Sequence, residues 1–259
     1  MIGTSFRAIG TAMSCVLLVM SAGRIAGAAE IKLLSAVALQ PGVAGLISEF
    51  EKSTGHKVTV AYGTVGALSD RLQKGEATDV AIVSGPQIDG LQKQGKIVAG
   101  SRVDIAKVGV GAFVRKGGAK PDISSADAFK RTLLAARSIA YPDPAGGGAS
   151  GVYLGGLLDR LGIAADMKPK TKYLGPEPLL YESVAKGEIE IGFNQISEIF
   201  AQPSVEFLGP LPATIQNYTL FAAGIGATSS QADVGKALIA FLSSPAAEGM
   251  LKAKGFETR

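Results

Sequence analysis

The side chains able to do chemistry in this sequence are few, and the most telling lie on or near one loop. Residues 141–152, which run Tyr-Pro-Asp-Pro-Ala-Gly-Gly-Gly-Ala-Ser-Gly-Val, follow a short apolar run at 138–140 that reads as a strand. They precede a helical pattern in which Leu154, Leu157, Leu158 and Leu161 recur at i, i+3, i+4 and i+7, with Gly162 as the stop. The glycine-rich loop therefore delivers Ser150 and Gly151 to a helix N-terminus. Uncapped backbone N–H groups and the positive end of the helix dipole both favour an anion there. Ser150 also suits a plain N-cap, so both roles stand open. Thr64, Val65 and Gly66 turn a strand into a helix and are read either as turn residues or as ligand contacts. Asn194 and Gln195 end a strand and offer amides to the same side. Glu198 and Glu177 are the carboxylates placed to move a proton, and each also fits a first-turn acid that complements a helix dipole. Tyr141 and Asp143 either line the cleft or shape the loop.

Several chemistries are disfavoured by what is missing. The chain has one histidine, His56, in a helix-to-strand turn, and one cysteine, Cys15, near the N-terminus. A Ser-His-Asp or Cys-His mechanism has little support from such a set, and a zinc site has none. The spacing Gly146-x-Gly148-x-x-Gly151 matches the dinucleotide fingerprint formally. The loop before it is long, however, and the surrounding unit is too small for two mononucleotide-binding halves. No metal and no cofactor are expected.

The elements around these residues alternate. Strands are expected at residues 31–35, 57–62 and 79–83, each followed by a helix: 41–54, one carrying Leu68 and Leu72, and 86–94. This β/α run predicts a parallel sheet with right-handed crossovers. A long extended run at 105–114 then leads to a second set: a helix over 126–136, the strand and loop already described, a strand at 171–174, a helix over 179–186 and a strand at 189–193. A second extended run at 216–225 and helices at 231–242 and 246–254 finish the chain. The expected fold is α/β, a two-lobed periplasmic-binding-protein architecture with two crossover strands as the hinge. Residues 30–108 plus 219–259 would form one lobe and 109–218 the other. Ligands in such sheets sit beyond the carboxyl ends of the strands, which here face the cleft.

The first 28 residues read as an export signal, with Arg7 before an apolar stretch over 8–22 and a small-x-small site at 26–28. The protein is therefore expected in a periplasm, cleaved near Ala28. The whole chain of 259 residues carries a net charge of +4; without Arg7 and Arg24 it keeps 24 of its 26 basic residues against 22 acidic ones. That balance gives no hint of nucleic-acid binding, so no nucleic-acid partner is expected, and no later stretch suggests membrane insertion.

Taken in order, these segments resemble the periplasmic molybdate-binding protein family of ABC importers. The matching stretches are residues 34–39, 63–68, 79–82, 142–144 with 149–153, 187–192 and 252–256. In that family two serine hydroxyls from the first lobe and backbone N–H groups from the second bind a tetrahedral oxyanion. Carried over, the two serine positions are Ala38 and Val65, with Thr64 beside the latter; the family's tyrosine falls at Gln195, and Ser150 opens the helix. The resemblance thus implies a backbone cradle that has lost two hydroxyl donors, at about 1.5–3 kcal/mol for each charge-assisted bond. A larger, partly apolar anion fits better than molybdate. Residues 191–199 and 209–218 resemble the aconitate isomerase-like subset of the same fold. That resemblance implies binding of a small polycarboxylate and interconversion of trans- and cis-aconitate by an allylic proton shift. The alternative is a solute-binding protein for molybdate-like oxyanions or organic acids, partnered by an ABC permease.

Overall fold

The computed structural model describes residue 1 and residues 27–175 and 178–257. The proposed export signal and Cys15 lie almost wholly outside the described residues, and so does Glu177. The strands and helices run β1 (Glu30–Ala36), α1 (Gln40–Thr54), β2 (Lys57–Gly63), α2 (Val65–Gln73), β3 (Val80–Ser84), α3 (Gly85–Lys93), β4 (Val103–Arg115), α4 (Ala126–Ala135), β5 (Ile139–Pro142), α5 (Ala149–Arg160), α6 (Ala164–Met167), β6 (Thr171–Leu174), α7 (Leu179–Ala185), β7 (Ile191–Gln195), α8 (Ile196–Phe200), β8 (Val205–Pro210), β9 (Tyr218–Ile225), α9 (Ala232–Leu242) and α10 (Pro245–Lys252).

The expected parallel pairing forms where the β/α alternation is regular. β1 pairs in parallel with β2 and β3, and β5 pairs in parallel with β6 and β7. The two long extended runs join these units with the opposite sense. β9 lies antiparallel on β3 and β4, while β4 continues antiparallel to β7 and β8. The fold is therefore mixed α/β with two crossover strands, as the alternation and its two interruptions predict.

β4 shows how the chain passes between the lobes. Its residues Ile105, Ala106 and Val108 belong to the core built on β1, β3, β9 and the C-terminal helices. Val110, Ala112 and Val114 belong to a second core with Phe129, Tyr141, Leu154 and Phe193, and Phe113 points into a third with Tyr181 and Ile189. The switch falls between Gly109, which pairs with Tyr218, and Val110, which pairs with Gln195. There the Gln216 amide takes the place of a neighbouring strand. Its Oε1 accepts from Val110 N–H and its Nε2 donates to Val110 carbonyl, each at 2.9 Å. A buried backbone pair is thus satisfied at the point where β4 changes partners.

Two readings of the sequence need adjustment. The strand expected at 189–193 runs instead over Ile191–Gln195, which brings Asn194 and Gln195 inside it. Ile189 is buried in a turn and so mimics a strand residue. β8 and the short helices α6 and α8 were not expected. β8 is bracketed by Pro203 and Pro210 and contains Gly209, so its local signal reads as loop; its order comes from pairing with β4.

Candidate functional site

A cavity of about 540 Å³ opens between the two units, well within the range of small-molecule sites. Its walls come from the loops at the carboxyl ends of the strands, where the alternation places them. The β1–α1 turn contributes Ala36, Val37, Ala38 and Gln40, and the β2–α2 turn contributes residues 63–65 and Ala67. The opposite wall is the glycine loop before α5, with Pro142, Asp143, Gly146, Gly148, Ala149 and Ser150. Leu174, Gly175, Leu180, Asn194, Gln195, Glu198 and Phe221 complete it.

Of the residues expected from the sequence, Ala38, Thr64, Val65, Ser150, Asn194, Gln195 and Glu198 line this cavity. Gly66 and Gly151 do not. A Cβ on Gly151 would come within 2.1 Å of the Pro142 carbonyl oxygen, so this glycine lets α5 press against β5. Gly66 touches the glycine loop itself: its N–H donates to Gly147 carbonyl at 3.1 Å, and a Cβ on either residue would lie 2.9 Å from the other's Cα. Thr64 joins the same contact. Its hydroxyl donates to Gly146 carbonyl at 2.6 Å and accepts from Ala67 N–H, capping α2. These contacts, made largely of backbone, join the β2–α2 turn to the glycine loop at the mouth of the cavity. The formal dinucleotide spacing at Gly146, Gly148 and Gly151 therefore serves a loop contact and a helix-on-strand contact.

α5 begins at Ala149, and its N-cap Gly148 supplies no side-chain cap. Ser150 is thus inside the first turn, and its hydroxyl is turned toward β7. It donates to Asn194 Oδ1 at 2.8 Å, which also accepts from Gln195 N–H at 2.8 Å, while Asn194 Nδ2 donates to Tyr181 hydroxyl at 2.9 Å. Because the Gln195 N–H can only donate, the Asn194 oxygen is unambiguous, and Ser150 must be the donor to it. Ser150 (2% exposed) therefore presents lone pairs rather than a proton to the cavity. Replacing Asn194 with alanine would leave a buried hydroxyl and a buried N–H without their acceptor. We expect unfolding stability to drop by about 1–3 kcal/mol, read as a lower denaturant midpoint at unchanged slope.

Gln195 adds a polar group whose needs are half met. Its Nε2 donates to Thr219 hydroxyl at 3.1 Å, and its Oε1 is buried with no protein partner. Glu198 sits in the first turn of α8 and is 8% exposed. Asp143 accepts from Ala145 N–H at 2.9 Å and is exposed at the cavity wall. No lysine, arginine or histidine is among the described residues that line the cavity. Tyr141, open to two readings from the sequence, is buried behind the loop, where burial first and Tyr173 second push its hydroxyl pKa up. His56 lies elsewhere and accepts from Ala29 N–H. Among the described residues, no group of histidine, cysteine and carboxylate side chains could hold a metal, and no helix is long and apolar enough to cross a membrane. Sequence reasoning missed Phe221, Leu174 and Leu180. They are apolar residues indistinguishable from core ones until the chain brings them to the same wall.

An α/β fold of two units on crossover strands, with a cavity between facing loops, is the architecture of the solute-binding-protein fold. The chain belongs to the bacterial extracellular solute-binding protein family, whose model matches residues 31–257. It is 34% identical over 226 residues to an aconitate isomerase of Pseudomonas sp., covering 83% of this chain and 84% of that one. It is 28% identical over 239 residues to the molybdate-binding protein ModA of Azotobacter vinelandii, covering 89% and 91%. Among solved structures, the periplasmic molybdate-binding protein of Azotobacter vinelandii superposes with a TM-score of 0.74 at 20% identity, over 88% of this chain and 99% of that one. PEB3 with L-phospholactate bound superposes with a TM-score of 0.65 at 13% identity, over 88% and 100%. The fold class expected from the sequence is the one these neighbours share.

Proposed function

We propose that this chain is an exported, aconitate isomerase-like protein. It binds a small polycarboxylate in the cleft and interconverts trans- and cis-aconitate by an allylic proton shift. The aconitate isomerase relative, similar over most of both chains, carries this reading. The cavity supports it: about 540 Å³ suits a carbon skeleton with several carboxyl groups, and Ala38, Val65, Leu180 and Phe221 give that skeleton apolar walls. First-turn N–H groups of α5 would receive one carboxylate. The shift needs a base to remove a proton from the substrate CH₂ and return one to the former vinylic carbon. The double bond then migrates across a symmetric carbon skeleton, so the product is again aconitate, with new geometry. Glu198, lining the cavity, is our candidate for that base, and Ser150, on the same cavity's wall, for a supporting group; Glu177 remains a second candidate.

We take residues 30–108 with 219–259 as one lobe and 109–218 as the other, closing by rotation at the β4 switch, and the signal as cleaved near Ala28 for a periplasmic location. The ModA relative and the family model favour a second reading, a solute-binding protein that delivers an oxyanion or organic acid to an ABC permease. A proton NMR time course of the purified protein with trans-aconitate separates the two. Resonances of the cis isomer growing in proportion to protein concentration are expected. No conversion would leave the transport reading.

A further inference from the structure

Glu198 stands on a helix that follows one unit in the chain but is packed onto the other. α8 continues from β7, which pairs with β4 and β5, yet Ile196, its first residue, packs against the core built on β1, β3 and β9. The C-terminal segment presses on the same helix: a Cβ on Gly255 would lie 3.0 Å from Ile196 Cγ2 and 3.1 Å from Phe200 Cδ2. Gln195, just before α8, donates from Nε2 to the Thr219 hydroxyl of β9 at 3.1 Å and pairs with Val110 where β4 changes partners. The start of α8 is thus seated at the crossover. Under the hinge closure proposed above, atoms there move least.

One hydrogen bond fixes that seat. Ser197, 0% exposed, donates from Oγ to the Ala38 carbonyl at 2.8 Å, across 159 positions of chain. The acceptor lacks one usual donor for a covalent reason. Ala38 lies in the 3-10 turn Val37–Leu39, and the residue three positions on, Pro41, has no N–H to give it. A hydroxyl from α8 fills that place. Ala38 and Glu198 both line the cavity, and Ser197 does not. The bond therefore joins, from behind, an apolar part of the wall to the residue next to the carboxylate.

Resting on the aconitate isomerase-like reading, with Glu198 as its base, we propose that Ser197 is a positioning residue of the reaction. It touches neither the substrate nor the reacting atoms. It holds the first turn of α8 on the Ala38 carbonyl, so that Glu198 meets the substrate CH₂ at one fixed distance. Ala38 and Val65 receive the carbon skeleton in that same frame. Proton transfer from carbon is sensitive to such placement, and a displacement of about 1 Å can cost about 100-fold in rate. Substrate binding does not draw on Ser197, because its hydrogen is spent on a carbonyl and its side chain lies outside the cavity wall.

Steady-state kinetics of the purified protein with trans-aconitate, followed by NMR, test this role. Ser197→Ala removes the bond; kcat should fall about 10- to 100-fold with KM nearly unchanged. Ser197→Cys keeps the side chain's bulk but donates weakly, so it should slow turnover as well, and it serves if Ser197→Ala melts below the assay temperature. A serine that only supported the fold would lower the melting temperature and leave kcat per folded protein at the parent's value; that result overturns the proposal. Glu198→Gln supplies a second test. If Ser197 acts through Glu198, Ser197→Ala adds no further loss in the double variant, whereas losses that multiply would overturn the proposal even if the single variant is slow. The parent protein in the same assay keeps two failures apart. Conversion by the parent, with equal kcat in the Ser197 variants, removes the positioning role alone. No conversion by the parent removes the isomerase reading, and this role with it.

Discussion

Glu198→Gln is expected to reduce the rate of aconitate interconversion by about 10²- to 10⁴-fold, the usual worth of a positioned acid–base group. Binding of trans-aconitate, measured by calorimetry, should change little. The argument is geometric. Of the described residues lining the cavity, Glu198 and Asp143 alone carry carboxylates. Asp143 is exposed and is tied to its own loop through Ala145 N–H. Glu198 is largely buried and is held at the start of α8 directly after the amides Asn194 and Gln195. A proton moved between two carbons of one substrate is served by a group that can take it and return it, and Glu198 is the more buried of the two carboxylates. Full activity in Glu198→Gln would sink this assignment and turn attention to Asp143 and Glu177.

Gly66→Ala should loosen ligand binding by about 5- to 150-fold, with most of the change in the release rate. Its Cβ would lie 2.9 Å from Gly147 Cα, and the obstacle is backbone, which cannot swing aside as a side chain can. Overpacking of that kind costs about 1–3 kcal/mol, and under the proposed hinge closure that cost falls on the closed form. Thermal stability of the ligand-free protein should be nearly unchanged. Gly90→Ala on α3, where an added Cβ meets nothing within 4 Å, is the control and should bind as the parent does. Stopped-flow release kinetics equal to the parent's would show that this contact does not hold the cleft shut.

Several of the site residues were legible because their neighbours constrain them. The glycine loop between an apolar strand and a leucine-periodic helix can only open onto a helix N-terminus, so Ser150 had to sit at the cleft. The same logic brought Thr64 and Val65 to the end of β2. It failed for Gly66 and Gly151, because a glycine that permits a ligand to approach and one that permits another backbone to approach have the same local signature. Here the neighbour is Gly147 in one case and Pro142 in the other. It also missed β8, whose prolines and glycine read as loop until β4 supplies the ladder.

Local periodicity was enough to determine the parallel β/α units, the two long crossover strands and the placement of the loops at one face, because side-chain spacing and turn chemistry act over a few residues. What those loops do to each other was decided by the tertiary structure. The hydrogen of Ser150 goes to Asn194, 44 positions away; Thr64 reaches Gly146, 82 positions away; Gln216 closes on Val110, 106 positions away. Whether a hydroxyl is donor or acceptor, whether an amide is satisfied, and what charge a cavity tolerates depend on partners that meet only when the chain has crossed between its lobes and returned.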